Sequence, residues 1–266
     1  MADAGRVLMI GCGNMGGAML RRWLAAGLEP ARVVVVSPSG RTMPDGVAVV
    51  PAIPGLEAVF DTVVLALKPQ KLGELKGTSL AAHMPRLLVS ILAGVDEATV
   101  AATCRAGAVV RAMPNLPVAI GRGVTALFGS TGDQRARRTA ESLCAPLGTY
   151  EWIAEERLFD AVTALAGSGP AFLFRFVNAL ARAGSTLGLP EDQARRLALA
   201  TVSGSATMAA ESDEGPSALA DRVASPGGST REGLDVLDRD DALVRLLTDT
   251  LRAAERRNGE LAALAR

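Results

Sequence analysis

Histidine and lysine are scarce in this 266-residue chain: His83 is the only histidine, and Lys68, Lys71 and Lys76 are the only lysines. Residues 160–266 hold neither, so a reaction needing a lysine or an imidazole from the second half is excluded. Cysteine is limited to Cys12, Cys104 and Cys144. They lie far apart and lack the spacing of a zinc site, which argues against a disulfide framework or metal centre and fits a reducing, cytoplasmic compartment. Net charge is absent as well, with 28 basic against 28 acidic side chains. A nucleic-acid binder would need a cationic surface, so that class is disfavoured. No basic leader with a cleavage site is evident, and no unbroken apolar run approaches the roughly 18 residues of a membrane span. The expectation is a soluble protein with no membrane partner.

Apolar residues are plentiful, at 49%, against 21% charged. A chain of this length buries about three quarters of its unfolded surface, so a sizeable core is available and a disordered or collagen-like chain is excluded. Apolar runs without polar alternation occur at residues 7–10, 33–36, 47–50, 62–67 and 87–92, as expected for strands covered on both faces. Helical patterns fit between most of them, at 15–26, 56–60, 69–83 and 96–104, with Asp96 as an N-cap. Such a series folds as a parallel doubly wound sheet. Strands at 109–113, 124–128 and 149–153 follow, with an Arg-rich helix at 133–143 before the last. Beyond about residue 155 long Ala/Leu/Arg segments take over, at 170–187, 190–211 and 240–264. The boundary is placed near Phe159, giving a nucleotide-binding domain at 1–159 and an all-helical domain at 160–266. The helix at 170–187 carries Phe172, Phe176, Val177, Leu180 and Ala183 with few charges between, which points to burial against another subunit as well as its own domain.

Gly11-Cys12-Gly13-Asn14-Met15-Gly16 follows a strand and opens a helix, which is G-x-G-x-x-G in its required context. Gly11 permits the tight turn, Gly13 admits a pyrophosphate to the backbone, and Gly16 lets helix and strand approach. The phosphates would sit at the helix N-terminus, making Gly11, Cys12, Gly13, Asn14 and Met15 cofactor-binding candidates in a Rossmann-like domain. The second strand ends in Ser37-Pro38-Ser39-Gly40-Arg41, with no acid before Asp45. An acid there would hold a ribose 2′-hydroxyl; Ser37, Ser39 and Arg41 would instead donate to a 2′-phosphate, favouring NADPH and leaving NADH open. A polar turn with a solvated arginine is the alternative reading.

The segment Ser225-Pro226-Gly227-Gly228-Ser229-Thr230 is not needed for helix packing. Backbone N–H groups at Gly227, Gly228 and the following helix start, with hydroxyls from Ser225, Ser229 and Thr230, suit a carboxylate. A plain interhelical loop with a Ser or Thr N-cap fits equally. Gly167-Ser168-Gly169-Pro170 reads as a close-approach point or a simple helix start. His83 reads as a surface residue, Tyr150 as core, and Lys68 as lying beside the cofactor or solvated.

In order and spacing, G-C-G-N-M-G at 11–16, A-L-K-P-Q at 66–70, S-I-L-A-G-V at 90–95, R-A-M-P-N at 111–115, G-S-G-P-A at 167–171 and S-P-G-G-S-T at 225–230 resemble the pyrroline-5-carboxylate reductases. The resemblance implies NAD(P)H-dependent reduction of 1-pyrroline-5-carboxylate to L-proline, the last step of proline biosynthesis. It implies a nicotinamide near Ala66, Leu67, Lys68, Pro69, Ala93 and Gly94, with Asn115 in the same wall. It places the substrate carboxylate on Ser225, Gly227, Gly228, Ser229 and Thr230, with Thr230 reaching the ring nitrogen as the catalytic residue. It further implies a homodimer through C-terminal helices, which in many members assembles into a decamer. The chain departs from common family residues at Gly55 (asparagine), Leu116 (threonine), Ala166 (serine), Phe172 (tyrosine) and Arg222 (asparagine). The rival readings are a non-catalytic dinucleotide sensor, which would have no reason to keep the 225–230 loop, and a β-hydroxyacid-dehydrogenase-like enzyme, which would need a lysine in the helical domain.

Overall fold

The computed structural model describes residues 2–38, 40, 43–44 and 46–264. Eight strands form one sheet: β1 (Val7–Ile10), β2 (Val33–Val36), β3 (Ala48–Val50), β4 (Thr62–Leu65), β5 (Leu87–Ser90), β6 (Ala108–Pro114), β7 (Gly123–Phe128) and β8 (Gly148–Trp152). Their order is β3-β2-β1-β4-β5-β6-β7-β8. The first six are parallel and change direction of winding beside β1, which makes the crevice above β1 and β4 the place where a doubly wound sheet takes a ligand. The alternation of strands and helices thus gives the expected Rossmann-like sheet. One refinement concerns β7, which runs antiparallel to β6, with β8 parallel to β7. Only a short 3₁₀ turn, Leu116–Ile120, joins β6 to β7, too little chain for a parallel crossover.

Helices α1 (Asn14–Ala25), α2 (Leu80–His83), α3 (Glu97–Thr103), α4 (Gln134–Cys144) and α5 (Phe159–Val162) belong to the same unit. Val7, Met9, Val33 and Val35 face one core layer with Trp23 and Leu143, and Leu8, Ile10, Val34 and Val36 face the other with Leu72 and Val100. Burial of both faces explains why β1 and β2 show no polar alternation, whereas β3, expected to be covered in the same way, is the edge strand with Ala48 and Val49 exposed. Trp23 is fully buried without an unmet donor, because its Nε1 donates to the Leu143 carbonyl at 2.6 Å. At α3, Asp96 is the expected N-cap and accepts from the Thr99 amide at 2.7 Å.

Two helical expectations are corrected. Residues 56–60 form no helix, only a turn at 56–57 and irregular chain, and the 69–83 segment is a 3₁₀ helix (Pro69–Leu75) followed by α2, separated where Gly77 takes φ +79°. His83, read as a surface residue, is partly buried, with Nε2 2.9 Å from the Pro54 carbonyl and its ring edge-on to Phe60.

The chain divides into two compact units: the described parts of Met1–Ser168 and Ala254–Arg266 form one, and Gly169–Ala253 the other. The second contains α6 (Gly169–Thr186), α7 (Glu191–Glu211), α8 (Pro216–Val223), α9 (Ser229–Asp238) and most of α10 (Ala242–Leu264). Helices α6 and α7 pack together through small residues, Ala181, Ala194 and Ala198 being buried. Leu173, Phe174, Phe176, Leu197, Leu199, Val244, Leu246 and Leu247 remain exposed. Among the described residues one helical stretch, Glu156–Thr186, is apolar and long enough by length and composition to cross a membrane. The stretch is not an unbroken apolar run, since Glu156, Arg157, Asp160, Arg175 and Arg182 lie within it.

Candidate functional site

Above the C-terminal ends of β1, β2 and β4 lies a cleft of about 510 Å³, lined by the glycine turn (Gly11, Cys12, Gly13), by Ser37 and Pro38 after β2, by residues 51–53, and by Ala66, Leu67 and Lys68 after β4. The far wall is Lys71, Glu74, Leu75 and Thr78. Gly11 has φ +82°, and a Cβ there would lie 2.8 Å from the Ala66 carbonyl oxygen, so no other residue fits the turn without displacing β4's exit. A Cβ at Gly16 would meet the Ala66 Cβ at 3.0 Å, the close helix–strand approach foreseen for it. Gly13 differs: a Cβ there would meet no protein atom within 4 Å, although the residue lines the cleft. The protein's own packing does not require a glycine here, and the open space is what the approach of a ligand to the backbone would need.

Gly13 is also the N-cap of α1, and no side chain caps that end. The first-turn N–H groups and the positive end of the helix dipole are left for an anion. Lys68 and Lys71 supply positive charge on the opposite wall, Lys71 lying 3.9 Å from Glu74 with both side chains exposed. These residues fit a dinucleotide, whose pyrophosphate would lie at the α1 N-terminus. Ser37 is buried at the cleft, its N–H donating to the Val50 carbonyl at 2.9 Å. Ser39 and Arg41, the remaining candidates for a 2′-phosphate, lie outside the described residues. Asn14 and Met15 open α1, and Pro69 opens the 3₁₀ helix beside Lys68.

Ala93, Gly94 and Asn115 do not line this cleft. Asn115 is buried and its amide is engaged at both ends: Nδ2 donates to the Ala166 carbonyl at 3.0 Å, and Oδ1 accepts from the Val124 amide at 2.9 Å. Gly94 (φ +72°) instead borders a polar cavity with Asp96, Arg111, Glu156, Phe159 and Asp160. At the Gly55 departure, the Glu57 carboxylate fills the space a side chain would take.

In the second unit, residues 225–230 form a turn closed by the Gly228 amide donating to the Ser225 carbonyl at 2.9 Å, with Gly227 at φ +69°. Helix α9 then begins at Ser229, its N-cap is Gly228, and no side chain caps it. The reading of this loop as a Ser- or Thr-capped helix start is therefore corrected. The exposed Ser229 and Thr230 occupy the first helical turn, where their hydroxyls and the uncapped N–H groups are not used in capping. Arg231, next in line, is held by Asp221 at 2.8 Å, and the departure Arg222 pairs with Glu214 at 2.6 Å.

A glycine cradle at the switch point of a 3-2-1-4-5-6 sheet defines a Rossmann-type dinucleotide-binding oxidoreductase, and residues 6–94 match a family model described as NADP oxidoreductase, coenzyme F420-dependent. Residues 156–261 match the model for pyrroline-5-carboxylate reductase dimerisation, so a dimerisation domain is present. A pyrroline-5-carboxylate reductase of a Synechocystis strain is 35% identical over 95% of this chain and 97% of its own length. The solved pyrroline-5-carboxylate reductase from Coxiella burnetii superposes with a TM-score of 0.85 at 31% identity, covering 97% of this chain and 98% of that one. The Plasmodium falciparum pyrroline carboxylate reductase, solved with NADP bound, shares the fold at a TM-score of 0.80 and 24% identity over 98% of this chain and 99% of that one. The chain belongs to the pyrroline-5-carboxylate reductase family. Neither the sensor nor the β-hydroxyacid-dehydrogenase reading finds support in these relatives.

Proposed function

We propose that the protein reduces 1-pyrroline-5-carboxylate to L-proline, taking NADPH in preference to NADH. The observation that carries the reading is a family relationship spanning 95% of the chain, with the glycine cradle inside the matched residues 6–94 and the 225–230 loop inside the matched residues 156–261. When bound, NADPH supplies the hydride. Gly11, Cys12, Gly13, Asn14 and Met15 hold its pyrophosphate, Ser37, Ser39 and Arg41 its 2′-phosphate, and residues 66–69, 93–94 and 115 form the nicotinamide wall.

Residues 160–266 act as the dimerisation and substrate-binding domain. Ser225, Gly227, Gly228 and Ser229 hold the substrate carboxylate at the start of α9 with uncapped N–H groups and hydroxyls. Thr230 donates toward the ring nitrogen. A carbon–nitrogen double bond accepts hydride most readily when its nitrogen is protonated. Transfer forms a carbon–hydrogen bond, the π electrons pass to nitrogen, and the positive charge is discharged. No strong acid from the protein is required, which agrees with the absence of lysine and histidine from residues 160–266. The exposed apolar residues of α6, α7 and α10 support a homodimer, and a decamer is the higher assembly that such dimers would build.

The test follows NADPH absorbance with purified protein and 1-pyrroline-5-carboxylate, with chromatographic detection of proline. Substrate-dependent loss of NADPH with equimolar proline is expected. A folded preparation that turns over only hydroxy acids would contradict the reading.

A further inference from the structure

A buried arginine on a central strand needs an explanation, because an ion withdrawn from water is costly unless it is paired. Arg111 is such a residue. It lies on β6 beside Ser90 of β5 and is 5% exposed. Strand alternation turns it to the α3 side of the sheet, the side of Val109. There its guanidinium carbon stacks 4.2 Å from the centroid of the Phe159 ring, and Nη1 donates to Glu156 Oε1 at 2.7 Å.

The same Glu156 oxygen accepts from the Glu97 backbone amide at 2.7 Å. That amide is one of the first-turn N–H groups of α3, which water would ordinarily satisfy. The Glu97 side chain accepts in turn from the Ser130 amide at 3.1 Å and its hydroxyl at 2.9 Å. The loop leaving β5 is thus fastened at Glu97 from two directions, three residues after the left-handed turn at Gly94. In a sheet of this order the pyrophosphate at residues 11–13 puts the adenosine half over β2 and the nicotinamide half over β4 and β5. Residues 91–97 leave β5 on that side.

We propose that Arg111 and Glu156 are positioning residues: the buried Arg111 and its half-buried partner Glu156 hold the backbone at residues 94–97 and so fix the loop against which the nicotinamide ring is set. This rests on the reading that the cleft takes NADPH. The pair touches neither cofactor nor substrate. Its effect is expected in ring placement, since small displacements of a reacting group reduce rate far more than affinity.

Two variants test this in the full-length protein. Glu156→Gln keeps the size and an acceptor oxygen but removes the charge. Arg111→Met with Glu156→Met removes both ions together, leaving no unpaired charge at the buried Arg111 position, and also removes the Glu97 acceptor. The double variant is expected to fold and to bind NADPH with a Kd within about threefold of wild type. Its kcat should fall about tenfold or more, its kcat isotope effect with NADPH deuterated at the transferred position should rise, and the fluorescence lifetime of bound NADPH should shift toward that of free cofactor. Glu156→Gln should show the same changes at smaller size. Wild-type kcat, isotope effect and lifetime in a folded variant would overturn the proposal, as would a raised Kd with kcat intact. If the double variant does not fold, Glu156→Gln decides by the same criteria. The lifetime requires binding alone, so it still decides if the wild type fails to turn over 1-pyrroline-5-carboxylate, a result that would count against the substrate reading. A wild type that does not bind NADPH would overturn the cofactor reading and this proposal together.

Discussion

Gly11 stands so close to Ala66 that a Cβ on the glycine would lie 2.8 Å from the alanine carbonyl oxygen. The backbone at Gly11 is left-handed as well, at φ +82°, so space and conformation both exclude a side chain. Gly11→Ala should weaken NADPH binding about tenfold or more and lower the unfolding midpoint, because the turn and the exit of β4 must move together. Gly13→Ala should keep wild-type stability, since a Cβ there meets open space, yet lose cofactor affinity. Fluorescence titration with NADPH and thermal unfolding on the two variants separate these effects.

Arg41 should read the cofactor's 2′-phosphate. A charge-assisted hydrogen bond contributes about 1.5–3 kcal/mol, so Arg41→Ala should raise the KM for NADPH roughly tenfold or more and leave that for NADH nearly unchanged. Equal changes for both cofactors would remove Arg41 from this role.

Burial pushes the Cys104 thiol up from 9.0 to about 11, and burial with the nearby Glu141 carboxylate pushes Cys144 up to about 12. The folded protein therefore keeps protons that the unfolded chain releases. This contribution to stability is whole below pH 9 and is lost as pH rises through the folded values. The urea midpoint should fall between pH 9 and 11, and Cys104→Ala with Cys144→Ala should flatten that fall even if it lowers the midpoint at neutral pH. An equally steep fall in the double variant would assign the alkaline sensitivity elsewhere.

Phe174, Phe176, Leu246 and Leu247 are too much apolar surface to leave in water. Light scattering at micromolar concentration should give at least a dimer, and Phe176→Glu should shift it toward monomer. A wild-type monomer with full activity would contradict the dimer.

The nucleotide half was legible because its signals are local. Four consecutive valines at residues 33–36 can only be a doubly covered strand, and a glycine turn between strand and helix has few other uses. The far wall of the cleft was less legible. Lys71, Glu74 and Thr78 sit in a segment whose apolar spacing reads as one helix, and the turn at Gly77 that divides it shows only in the backbone. The Arg111–Glu156 pair joins residues 45 apart, and no local pattern announces a partner at that distance. An arginine within the apolar run A-V-V-R-A-M-P was the available sign that something in the core had to receive a charge. Helix α8 was missed because its eight residues are too few to establish a helical period.

Thr230 follows the Gly228 N-cap by two residues and does not cap the helix, which leaves its hydroxyl for the proposed contact with substrate. Thr230→Ala should lower kcat by about tenfold to a hundredfold or more, with NADPH affinity and unfolding midpoint nearly unchanged, and Thr230→Ser should keep most of the rate. An alanine variant that is less stable yet fully active would assign Thr230 to the fold.

Hydride transfer from NADPH to a cyclic imine leaves its mark in the fate of the transferred hydrogen. NADPH deuterated at the transferred position, incubated with the protein and 1-pyrroline-5-carboxylate, should give proline carrying one deuterium on the ring carbon across the nitrogen from the carboxylate-bearing carbon. Deuterium at any other position, or a folded and NADPH-saturated protein that forms no proline, would contradict the account.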